Sequence, residues 1–146
     1  MKVLSPIERH PVQLDSSAFV ADPDLIRALQ ERSTPVTCES DRLLFHQDDP
    51  AVGVYIVNAG AVTLTMNAND GRSIFSIDVT SGSLLGLPAL VSDRPYSLAA
   101  IARIGAQVSF VSRSDFFAIM QAQPLLSLKM LQVLAAEVRT ARQALY

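Results

Sequence analysis

Between Val36 and Val111 the apolar residues recur mostly every second position. The pattern is clearest at Val62, Leu64 and Met66, which alternate with Thr63 and Thr65. It returns at Phe75, Ile77 and Val79, which alternate with Ser76 and Asp78. Such alternation buries one face of a β-strand and leaves the other wet. Leu43-Leu44-Phe45 and Val54-Tyr55-Ile56-Val57 are shorter apolar runs. Leu98 to Ile104 and Val108 to Val111 add two more strands, broken at Gly105-Ala106. Asn58-Ala59-Gly60 reads as a turn, and Asn69-Asp70-Gly71 as a hairpin with a type I′ turn, whose two central residues take positive φ. Strands this short and closely spaced predict a mainly β fold, an antiparallel jelly-roll β-roll, with helices at its flanks.

The period changes outside that region. Residues 1–21 form an arm without clear periodicity, with a helical turn around Asp15 to Phe19. A helix spans 22–34: Asp22 caps it, Pro23 suits its first turn, and Leu25, Ile26 and Leu29 share one face. The β-roll occupies 36–113 and C-terminal helices 114–146. Ser114 is placed to cap a short helix from Asp115 to about Gln121, and Pro124 opens the last helix. Along it Leu131, Leu134, Val138, Ala141 and Leu145 follow the alternating three- and four-residue steps of a coiled-coil seam, which predicts pairing with a second copy of the chain. A second stripe, Leu126, Met130 and Val133, is left to face the barrel.

Composition narrows the function classes. Apolar residues make up 49% of the chain and charged residues 18%, enough to suggest a subunit interface or an apolar pocket. The run Leu84 to Val91 is interrupted by Gly86 and Pro88, far short of the roughly 20 apolar residues of a membrane span. No secretory leader is evident, and the single cysteine, Cys38, excludes an internal disulfide and fits a reducing cytoplasm. A net charge of −2 gives no general attraction to nucleic acid. The two histidines, His10 and His46, stand far apart without metal-ligand spacing, so no metal site is expected. No nucleophile, base and orienting group are spaced for catalysis, and the chain reads as a non-enzyme.

The most informative segment is Ser81 to Ala102, SGSLLGLPALVSDRPYSLAAIA. Gly82 and Gly86 precede an apolar helical turn and a polar loop, and Ser97 opens the next strand. A glycine followed by a helical turn exposes backbone amides to an anion. This segment resembles the phosphate-binding cassette of cyclic-nucleotide-binding domains, the sensor half of Crp/Fnr-type regulators and of kinase regulatory subunits. LLFHQDDPAVGVYIVNAGAVTLTM, the DGR hairpin, SRSDFFAIMQAQP and the final helix fall in the same order as in that family, so the likeness spans Leu25 to Tyr146.

The resemblance implies a β-roll that holds a cyclic nucleotide between cassette and final helix and dimerises through that helix. The cassette candidates are Gly86, Leu87, Pro88, Ala89, Arg94, Tyr96 and Ser97, with Thr140 and Arg142 on the base side. Two positions depart from the family. The glutamate that meets the ribose is replaced by Leu87, and the arginine that pairs with the cyclic phosphate by Tyr96. A hydrogen bond to a charged group contributes ~1.5–3 kcal/mol. Loss of both anchors therefore weakens cyclic AMP binding by roughly 100- to 10,000-fold. Arg94 is a replacement anchor if Arg94-Pro95-Tyr96 is extended and residues 94 and 96 share a side.

The expectation is a regulatory, sensor-type domain with a degenerate cassette, acting as a homodimeric interaction module with a small effector or a protein partner. The alternative is a genuine cyclic AMP or cyclic GMP binder that uses Arg94 and Ser97. No cofactor is certain: the ligand is a cyclic nucleotide, another small molecule, or none. No nucleic acid or membrane partner is expected, because the chain carries no helix-turn-helix after the final helix.

Overall fold

The computed structural model describes residues 15–144, with the side chain of Ala144 excepted. His10 and Leu145 lie outside this range. A 3-10 helix, Ser16–Phe19, is capped by Asp15, whose carboxylate accepts from the Ser17 amide. Helix α1 (Pro23–Gln30) follows, with the Asp22 carboxylate accepting from the Asp24 amide. It ends before the expected boundary at residue 34, because Thr34 already pairs with Phe110 in a strand.

Eight strands form two antiparallel four-stranded sheets. They are β1 (Thr34–Val36), β2 (Arg42–Phe45), β3 (Gly53–Ala59), β4 (Val62–Asn67), β5 (Ser73–Val79), β6 (Leu84–Leu85), β7 (Ala99–Ala102) and β8 (Gln107–Ser112). One sheet runs β1-β8-β3-β6 and the other β2-β7-β4-β5. Consecutive strands thus often lie in opposite sheets, as in a jelly roll. Val57, Val62, Leu64, Val79, Ala100 and Val108 fill the space between the sheets.

A second core lies between the first sheet and the helices. There Val54, Ile56 and Val111 meet Leu25 and Leu29 of α1, and Phe116 and Ile119 of α3 (Arg113–Ala122). Strand β3 is therefore buried on both faces, which explains its unbroken apolar run. Helix α4 (Leu125–Ala144) closes this layer with Leu126 and Val133, both nearly inaccessible. Lys129 of α4 bonds the Asp22 carboxylate at 2.8 Å and so ties α4 to the start of α1.

Two local expectations change. Only Gly71 has positive φ in the β4–β5 turn, and Gly71 donates to the Ala68 carbonyl. With Ala68 also donating to the Arg72 carbonyl, this is a three-residue hairpin closed by a left-handed glycine, not a type I′ turn. Helix α3 begins at Arg113 and is capped by Ser112, not Ser114: the Ser112 hydroxyl accepts from the Asp115 amide at 3.2 Å. Ser112 is the last residue of β8, opposite Gly53, so the chain leaves the sheet directly into the helix.

Candidate ligand-binding cassette

Gly86 ends β6 and starts the short helix α2 (Leu87–Ser92). Its φ of +88° lies in the left-handed region open to glycine, and a Cβ there would sit 2.9 Å from the Tyr96 ring. Pro88 occupies the first turn of α2 and contributes no amide donor. Gly86, Pro88 and Ala89 form one wall of a cavity of about 40 Å³. The sheets add Phe45, Leu64, Leu85 and Leu98, the 3-10 helix adds Phe19, and Tyr96, Ser97 and Glu137 complete the lining. The cavity is small beside the about 300–1,000 Å³ of pockets for drug-sized molecules.

Tyr96 packs against this wall beside Gly86. It is 2% exposed, and its ring stacks on Phe45 at 4.0 Å between centroids and 21° between planes. Its hydroxyl donates to the Gly53 carbonyl at 2.7 Å and accepts from the Val52 and Gly53 amides at 3.2 and 3.3 Å. Its backbone is held as well: the Tyr96 amide donates to Asp49 O, and the Asp48 amide donates to Tyr96 O. Burial pushes the phenol above its ordinary value, against the opposing effect of the Gly53 and Val52 bonds. Every polar atom of this side chain is satisfied, so Tyr96 is a fixed part of the wall.

The other expected residues are dispersed. Leu87 is fully buried on the helix side, in the core with Leu90, Val54 and Phe116. Alternate faces of α2 thus serve the two cores, and Leu87 does not line the cavity. Arg94 is exposed and outside the lining. Its amide donates back to the Ala89 carbonyl after Asp93 turns left-handed at φ +55°. Ser97 is exposed at the cavity rim. Thr140 faces a surface groove beside Asp15 and Ser17, and Arg142 another beside Leu131 and Val138.

The residue that α4 does send into the cavity is Glu137, which the sequence reading missed. Its Oε2 is sealed from solvent and has no hydrogen-bond partner among the described residues. Burial alone pushes its carboxyl up to about 8, because no nearby charge compensates. A signal for it existed: the inward stripe Leu126, Met130, Val133 continues in its four- and three-residue steps onto 137.

The cyclic nucleotide-binding domain model matches residues 35–123, more than half of the chain. The chain belongs to the cyclic nucleotide-binding domain family. Solved structures agree on the fold. The catabolite activator protein of Thermus thermophilus aligns with a TM-score of 0.74 at 22% identity, over 85% of this chain and 58% of that one. The c-di-GMP-responsive global regulator CLP of Xanthomonas campestris gives 0.66 at 20% identity, over 84% and 63%. A cyclic nucleotide-binding-like protein of Brucella abortus gives 0.55 at 29% identity, over 68% and 85%. The chain thus spans under two thirds of the first two structures. No curated protein sequence matches it. Among the described residues, no helix is long and apolar enough to cross a membrane.

Proposed function

We propose that this domain is a non-catalytic sensor or interaction module whose phosphate-binding cassette no longer takes cyclic nucleotides. The observation that carries the reading is Tyr96. It stands where the family places the phosphate-pairing arginine, and its ring fills the cassette from within. Glu137 adds a second obstacle, since a carboxyl next to an anion is repulsive once ionised. Pro88 removes one amide from the turn that would cradle a phosphate. The alternative, with Arg94 and Ser97 as anchors, would require Arg94 to turn in from solvent and Tyr96 to leave its three hydrogen bonds.

In this reading signalling passes through α4, which carries both a cavity-lining residue and an exposed apolar stripe. The module is a homodimer with a small effector or protein partner other than nucleic acid. Calorimetric titration with cyclic AMP and cyclic GMP tests the cassette. The expected dissociation constant lies above roughly 100 μM, because the charge-assisted bonds that dominate such affinity are absent. Low-micromolar binding that vanishes in Arg94→Ala would replace this reading with the alternative.

A further inference from the structure

Glu137 and the rings around it define what the remaining cavity prefers. The lining holds three aromatic side chains, Phe19, Phe45 and Tyr96, one carboxyl and no cationic group. Aromatic faces attract organic cations, and a desolvated carboxylate pairs with an ammonium more strongly than it would in water. An anion finds neither a positive charge nor an arginine here. Exposed Pro88 and Ser97 lie on the rim, so the site communicates with solvent.

Building on the reading that Tyr96 closes the cassette to cyclic nucleotides, we propose that the cavity binds a small organic cation, an alkylammonium of a few non-hydrogen atoms, with Glu137 as its charge partner. The size of the cavity, about 40 Å³, sets the limit on the ligand. Glu137 is the acceptor because it is the one acidic residue of the lining, and no described residue bonds its Oε2.

The site has a built-in proton linkage. With a carboxyl that titrates near 8, Glu137 is protonated at neutral pH in the free protein. An ammonium ion stabilises the carboxylate, so binding releases the proton and affinity rises with pH until Glu137 is ionised anyway. Other charges near these elements are tied up or face away. Asp15 holds Ser17, Arg42 bonds the Thr37 carbonyl, Asp93 pairs with Arg113, and Lys129 pairs with Asp22. Arg139 lies in the surface groove beside Asp15, Arg94 is exposed, and the Tyr96 phenol is held above its ordinary value.

Titration of the protein with propylammonium, followed by NMR shifts of the Ala89 and Leu98 amides and of a labelled Glu137 carboxyl, tests the proposal. The expected dissociation constant falls about tenfold from pH 6.5 to 7.5 and levels off above about 8, one proton being released per ligand bound. Propionate, of similar size and opposite charge, should leave these resonances unmoved. Glu137→Gln, checked for an unchanged fold by its amide spectrum, should lose the pH slope and most of the affinity. Binding independent of pH, binding of propionate at least as strong, or no shift with propylammonium while Glu137 titrates near 8 would each overturn the proposal. A parallel cyclic AMP titration separates the two claims. Cyclic AMP binding sinks the closed-cassette reading, whereas silence from both ligands sinks only the ammonium site.

Discussion

A tyrosine can replace an arginine at a binding site and remain on the surface, reaching water with its hydroxyl. Tyr96 does the opposite, and its reason lies in partners distant in sequence: the ring stack on Phe45 and the Val52–Gly53 peptide groups that meet its hydroxyl. The family resemblance implies that the phosphate partner has been replaced, yet the inward turn of Tyr96 depends on contacts that no local pattern encodes. The same holds for Leu87, legible as apolar but not as a residue of the other core. Tyr96→Phe keeps the stack and the filled cavity while leaving the Gly53 carbonyl without its donor. A buried polar group stripped of its partner costs about 1–3 kcal/mol. Urea unfolding of this variant should therefore show a lower midpoint at an unchanged slope. A midpoint within error of the parent would mean that water reaches Gly53 and that the site is looser than its hydrogen bonds imply.

At the scale of elements, six of the eight strands were readable because each has at least one face that alternates or runs apolar, and burial follows that face; β1 and β6, of three and two residues, are too short to show a period. Val62 and Leu64 in β4 and Val79 in β5 are fully buried as their spacing predicts. Turn geometry was less readable, since Asn-Asp-Gly suits a two-residue I′ turn and a three-residue bulged turn alike. Helix α4 shows what breaks the apolar rule. A stripe that buries Leu126 and Val133 brings Glu137 along, because the helix keeps its period whatever residue occupies the position. This has a cost that depends on pH. The carboxyl titrates at about 8 in the folded protein against 4.5 for an ordinary glutamate, so between those values the folded state holds a proton that the unfolded chain releases. Stability therefore falls as pH rises through that window and is fully recovered below it. Glu137→Gln removes the titration. Thermal unfolding should show no pH slope from this site and a gain of roughly 1–3 kcal/mol at pH 8, less than the full shift implies because α4 can relax toward water. An equal gain at pH 4 and pH 8 would show that packing, and not charge, is what the substitution relieves.

For the whole molecule, the open question is what covers the outer face of α4. Leu131 and Val138 are 54% and 50% exposed, and with Leu134, Ala135, Arg139 and Arg142 they line a groove on the surface. Leu125 and Leu128 extend the exposed apolar strip toward the start of the helix at 84% and 61%. Two copies related by a two-fold axis would bury each of these residues twice, since an isologous contact presents the same patch from both sides. Full burial of an aliphatic side chain contributes about 1.5–3 kcal/mol, so this strip is worth many times the thermal energy. The inward stripe is separate: Leu126 and Val133 hold α4 to its own roll and do not need the second copy. The dimer can therefore be broken without unfolding the domain. Leu134 is a poor choice for this, because it packs against the helix-side core of its own chain. Leu131→Glu with Val138→Glu places charge only on the outer face. Light scattering should give a parent mass of twice 15.8 kDa at micromolar concentration and a variant mass of 15.8 kDa, with circular dichroism unchanged. A parent that stays monomeric at high micromolar concentration would leave α4 as packing for one chain alone. A sensor built this way would then have to pass its signal to a different protein along the same strip.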